Sequence, residues 1–197
     1  MVVSSARSFG AKFVLADVDE AHDEWGANCG PTALAAALGK ALVEDVHDLV
    51  RAPAPRGDGP AEFRGFMAPR DMLGALAKAG VPYETAPIIR RRTPWPRHGL
   101  VRIQWEGPWI GENIDPRAAY QYTHWIAARQ PAREETAALN LSNRDMLVFD
   151  GNLNLWIPLE LWTTWSELLW PKRTTGWHVA SCINLPVMTG PKGQVTP

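Results

Sequence analysis

Two features of the segment NCGPTALAAALG (28–39) point to thiol chemistry: a cysteine, and the helix that the cysteine opens. Cys29 follows a Gly-containing stretch and precedes Gly30 and Pro31, so it stands at a loop-to-helix transition. Pro31 suits a first helical turn, where its missing N–H costs nothing. A thiol in that position is stabilised as thiolate by the helix dipole and by unpaired backbone N–H groups. The same N–H groups can receive a developing oxyanion. Gly30 leaves room for a substrate backbone to approach. A cysteine within a helix would more simply be a small buried apolar residue; the Asn-Cys-Gly-Pro context argues for the reactive reading.

A thiol nucleophile needs a base, and the base needs an orienting group. Five histidines are present. His124 lies in YTHWIAA, a strand-like run, and Asp150 closes the next such run, LVFD. Neighbouring antiparallel strands can bring two such side chains to one face within hydrogen-bond reach. Asn152 is a rival orienter two residues on, and His178, in GWHVASC, is a rival base that could borrow Asp150. His124 is preferred. His22, His47 and His98 fall in loop or polar contexts and read as structural or surface histidines.

The elements that must position these groups fall into two halves. Residues 11–18 (AKFVLADV) read as a short strand or extended segment, and 29–39 as an Ala-rich helix of high propensity stopped at Gly39, with 40–49 open to a second helix. Residues 52–66 carry enough Pro and Gly to be a loop, and 68–79 form an amphipathic helix ended by Gly80. After a strand at 81–86 comes a second loop with the basic run Arg90, Arg91 and Arg92, read as a solvated surface. Strands follow at 100–106, 119–128, 145–151 and 153–158, then a helix at 158–170 and a last strand at 176–185. In that helix Trp162, Trp165 and Leu169 share one face, as core residues would. Helices first and an antiparallel sheet second predict an α+β class. One domain over 1–197 is expected, with its core at about 11–185 and a mobile tail at 186–197.

NCGPTALAAALG, THWIA and LVFDGN, in this order, resemble the papain-like cysteine peptidase superfamily, and within it the bacterial bacteriocin-leader (double-glycine) peptidases. The resemblance covers roughly residues 20–185 by order of elements. It implies a papain-like fold, Cys29 as nucleophile, His124 as general base and then acid, and Asp150 as orienter. In one position the chain departs from the pattern. The family usually carries a Gln six residues before the cysteine as an oxyanion donor, and here that residue is Asp23. An ionised Asp accepts hydrogen bonds and repels an oxyanion. The side chains of Asn28 and Trp25 are the candidate substitutes, together with the backbone N–H of Cys29.

Composition narrows the remaining classes. Hydrophobic residues make up 46% of the 197 and charged residues 21%, which supports a packed core. A formal net charge of -1 gives no electrostatic case for a nucleic-acid partner. Cys29 and Cys182 stand too far apart in sequence to suggest a disulfide framework or a zinc site, and no metal or other cofactor is expected. The acidic stretch Asp17–Glu24 lacks EF-hand spacing. Neither a signal-peptide-like run nor an apolar span of about 20 residues is present, so a cytoplasmic location without membrane association is expected. The expected activity is thiol-dependent hydrolysis of a peptide, isopeptide or related amide bond, with a protein or peptide as substrate. An inactive papain-like fold used as a binding module is the second reading, favoured by Asp23. A cell-wall amidase whose tryptophans line a glycan groove is the third.

Overall fold

A computed structural model describes residues 11–25, 27–50, 67–89, 93–115, 121–142, 145–169 and 174–187. The expected loop at 52–66, the Arg90–Arg92 run and the tail from 188 onward lie outside them. The fold is α+β. Four helices come first: α1 (Leu15–Trp25), α2 (Cys29–Ala37), α3 (His47–Val50) and α4 (Pro69–Lys78). The strands are β1 (Glu84–Thr85), β2 (His98–Glu106), β3 (Thr123–Arg129), β4 (Leu147–Asp150), β5 (Leu155–Pro158) and β6 (Gly176–Asn184). Among the described residues two helices are set between the strands, α5 (Arg133–Ala138) between β3 and β4, and α6 (Leu159–Ser166) after β5. The sheet has six strands in the order β1-β6-β2-β3-β4-β5, all paired antiparallel.

α2 is the buried axis of the molecule. Gly30 through Ala37 are all buried, which a helix of small and apolar residues permits on every side. Its first turn needs no donor at Pro31, and the Thr32 hydroxyl donates to the Asn28 carbonyl at 2.6 Å. At its other end Gly39 takes φ 65°, and the Gly39 and Lys40 N–H groups bond back to Ala36 and Ala35. That reversal needs a positive φ, which glycine adopts without strain. His98, the first residue of β2, is buried and donates from Nε2 to the Ala37 carbonyl at 2.8 Å, while Nδ1 meets the Pro186 carbonyl. It is therefore a structural histidine, tying the end of α2 to the end of β6.

The alternation of strand residues divides the interior. Leu100, Trp125, Ala127, Phe149 and Ile183 face the helices and pack with Leu34, Met72 and Leu76. Val101, Ile103, Ile126, Ala128 and Val148 face the other way and pack with Trp162, Trp105 and Trp109. Trp162 and Trp165 do enter this second cluster, with Leu169 beside them.

Three expectations about elements need correction. Residues 11–18 are not a strand: from Leu15 the chain is helical through Trp25. The acidic stretch is the solvent side of α1, with Asp19, Glu20 and Asp23 exposed and Ala21 buried beneath. Its Asp17 accepts the Val43 N–H at 2.8 Å, linking α1 to the segment after α2. The strand expected over 81–86 shrinks to Glu84–Thr85, a short edge strand on β6. The second helix foreseen after Gly39 starts only at Glu44, as a 3-10 turn that leads into α3.

Candidate active site

Three elements converge on one point. α2 presents Cys29 at its first residue, β3 presents His124 near its start, and β4 ends on Asp150. His124 has the strand parity of Ile126, and Asp150 that of Val148, so both project from the same face of the sheet. β3 and β4 are direct antiparallel neighbours. Gly151, just past Asp150, lets this corner come close to α2: a Cβ there would touch the Thr32 side chain at 3.4 Å.

The three side chains act on one another in order, with His124 in the middle. His124 Nε2 donates to Asp150 Oδ1 at 2.9 Å, and both residues are buried. The imidazole also acts on the half-buried Cys29 thiol, and each draws the other toward its charged form. Because Nε2 is engaged by Asp150, Nδ1 is the nitrogen left for the thiol. The backbone N–H of Trp125 donates to the Cys29 sulfur as well. Trp125 is itself anchored, donating from Nε1 to the Met67 carbonyl at 2.7 Å. Met67 also packs on Gly30, where an added Cβ would lie 2.8 Å from its sulfur. A side chain at position 30 would therefore press on Met67, which would have to shift.

Asp150 is fully buried, and both its oxygens are bonded. Oδ1 accepts His124 Nε2 and the Asn152 backbone N–H at 2.9 Å; Oδ2 accepts Trp162 Nε1 at 2.8 Å. A buried carboxylate is tolerated when its charge is compensated in this way.

The electrostatics of the three groups follow from these contacts. Burial pushes the Cys29 thiol up, but the His124 hydrogen bond and charge, with the Trp125 N–H, outweigh it and bring it below its ordinary value. Burial pulls the His124 imidazolium down, yet the charge and hydrogen bond of Asp150, and then Cys29, hold it well above the usual histidine value. Burial raises the Asp150 carboxyl, and His124, Trp162 and the Asn152 N–H together bring it below the ordinary carboxylate value. All three shifts favour thiolate, imidazolium and carboxylate together. The contrast is Cys182: buried and bonded only to the Pro94 carbonyl among the described residues, it is pushed up to about 11.

No known family model matches the chain, and no curated protein matches it either.

The other candidates are placed elsewhere. His178 is half-buried and meets Glu106 Oε1 at 3.2 Å rather than Cys29. Asn152 has an exposed side chain; it serves Asp150 through its backbone N–H, so it assists the carboxylate and does not replace it. Asn28 turns away from the thiol, donating from Nδ2 to the Val18 carbonyl at 3.0 Å. That bond uses one of its two amide hydrogens and ties α1 to the start of α2. Asp23 is exposed on α1. The Trp25 side chain lies outside the described residues. Among the described residues no group of three or more His, Cys, Asp and Glu could hold a metal ion, and no helix is long and apolar enough to cross a membrane.

Trp162 is the site residue that sequence reasoning took for core filling. A signal did exist: a buried indole N–H usually finds an acceptor. Which acceptor it finds depends on how α6 folds back on β4.

Proposed function

We propose that this protein is a thiol hydrolase of papain-like fold that cleaves a peptide, isopeptide or related amide bond through Cys29, His124 and Asp150. The observation that carries the reading is the buried His124 Nε2–Asp150 Oδ1 hydrogen bond at 2.9 Å beside Cys29, whose thiol His124 holds below its ordinary value against burial. The Cys29 thiolate attacks the scissile carbonyl carbon, and the tetrahedral oxyanion takes the Cys29 backbone N–H at the start of α2. The His124 imidazolium protonates the leaving amine as the C–N bond breaks, leaving a thioester on Cys29. His124, now neutral, removes a proton from water, which attacks the thioester. The carboxylic acid leaves, and the departing thiolate and the imidazolium are restored. Asp150 keeps Nε2–H engaged throughout, so that Nδ1 stays directed at the thiol. A protein or peptide is the substrate this chemistry suits.

The test is limited alkylation with iodoacetamide between pH 5 and 8, with the adduct mapped by peptide mass. Cys29 is expected to react well below the pH at which a free thiol ionises, and His124→Ala should abolish that advantage. An ordinary thiol profile at Cys29 would sink the reading.

An inactive binding module is the second reading. Asp23 favours it, since the usual position of an oxyanion-donating Gln holds an exposed carboxylic side chain. Turnover of a peptide library that depends on Cys29 would decide against it. The glycan-groove reading has less support: Trp105, Trp109, Trp125 and Trp162 are buried in the core.

A further inference from the structure

Asp150 could in principle swing, since a carboxylate bonded by one oxygen turns readily about its Cβ–Cγ bond. Here the second oxygen is occupied by a side chain from another element. Trp162 lies on α6, twelve residues further along the chain, and is fully buried. Its ring is packed edge-on against Trp177 at 5.4 Å and Trp95 at 6.2 Å. The indole N–H is therefore fixed by aromatic packing before it meets Asp150 Oδ2 at 2.8 Å. The geometry of a rigid donor on one oxygen and His124 on the other leaves the carboxylate a single orientation.

From this we infer that Trp162 is a positioning residue: its indole N–H holds the Asp150 carboxylate so that Oδ1 stays on His124 Nε2. The inference rests on the thiol-hydrolase reading for its catalytic meaning, though not for its electrostatic content. The ionisable groups acting on His124 are Asp150 from β4 and Cys29 from α2. From β2, the Trp105 ring lies 5.9 Å from the imidazole and carries no charge. Without the Trp162 donor the carboxylate is less stabilised and less well aimed. His124 then holds its proton less tightly, and the thiolate loses part of its partner. The pH window of the ion pair should narrow from both sides: its acid limb moves up and its alkaline limb moves down.

Trp162→Phe removes the donor and keeps a ring in the cluster. Trp177→Phe disturbs the same aromatic packing without touching Asp150, and serves as the structural control. The first measurement is an NMR titration of the His124 ring in a Cys29→Ala background, which reads the imidazole without thiol chemistry. Trp162→Phe is expected to lower the His124 midpoint by about one pH unit, a tenfold loss of proton affinity, while Trp177→Phe leaves it in place. The second is the pH profile of Cys29 alkylation in the intact-thiol protein, where Trp162→Phe should narrow the window. An unmoved midpoint in Trp162→Phe, or an equal shift in Trp177→Phe, overturns the inference. If Trp162→Phe does not fold, benzothienylalanine at position 162 keeps the indole shape and replaces only the N–H, and the same two outcomes apply. An ordinary alkylation profile for unsubstituted Cys29 would remove the hydrolase reading alone, and the His124 titration would still decide the role of Trp162.

Discussion

Cys29 and Cys182 sit in opposite environments within one chain, so each is a control for the other. Cys29 lies against an imidazolium and a backbone N–H; Cys182 is surrounded by apolar groups and pushed up to about 11. At pH 6.5, sub-stoichiometric iodoacetamide should modify Cys29 and leave Cys182 intact, as tryptic mass mapping will show. Asn28 allows an equally sharp test. Its Nδ2 donates one hydrogen to the Val18 carbonyl, a structural tie, so Asn28→Ala should cost about 1 kcal/mol of stability and leave the per-molecule alkylation and turnover rates within a few-fold. A drop in turnover of about 10²–10³ at unchanged stability would instead mark Asn28 as an oxyanion donor. Asp150→Asn keeps the shape of the orienter while removing its charge. His124 should then lose its raised proton affinity, and peptide turnover should fall by about 10²-fold or more, with the thermal melt checking that the fold survives. Its sign is fixed by chemistry: a neutral amide cannot favour the imidazolium as a carboxylate does.

At the scale of elements, the site depends on β2 holding β3 in place against α2. Gly99, at the start of β2, lies tight against β6, which flanks β2 on the other side. A Cβ there would collide with the Ile183 carbonyl of β6 and come within 3.0 Å of the Pro96 Cβ. The colliding partner is backbone, which cannot turn aside as a side chain can. Gly99→Ala should therefore destabilise the protein by about 1–3 kcal/mol, visible as a lower urea midpoint. Gly30→Ala meets only the flexible Met67 side chain and should cost less, with its effect felt in Cys29 reactivity. α1 was missed from sequence for a physical reason. Most of its charged residues face solvent and only Ala21 among its described residues is buried, while the apolar run Phe13, Val14 and Leu15 at its start reads as extended chain. α2 and α4 were legible because start and stop are written locally: Pro31 and Gly39 in one, Pro69 and Gly80 in the other.

For the molecule as a whole, acid stability should follow two carboxylates whose folded values are depressed. Asp150 is held below its ordinary value despite burial, by His124 first and then Trp162 and the Asn152 N–H. Glu135 is held down by its two-pronged bond to Arg129, at 2.6 Å on each oxygen. A carboxyl depressed on folding contributes stability that is fully present above its unfolded value and is lost as pH falls through the folded one. Urea midpoints should therefore fall as pH drops below about 4, and in Asp150→Asn the acid limb should be shallower. Glu135 is partly exposed and near the surface, so its share should shrink in high salt.

The sequence by itself determined the setting of Cys29, the proposed nucleophile, because a helix start is a local event: Asn-Cys-Gly-Pro and an Ala-rich body suffice to place it on the first turn of α2. It also determined the strands bearing His124 and Asp150, since their alternation is local too. Tertiary structure alone decided which groups those side chains would meet. The choice of His124 over His178, the turning of Asn28 to Val18, and the seating of Trp162 on Asp150 all join residues from separate elements. Such contacts are set by how packed faces come together in space, and no periodicity along the chain encodes that distance.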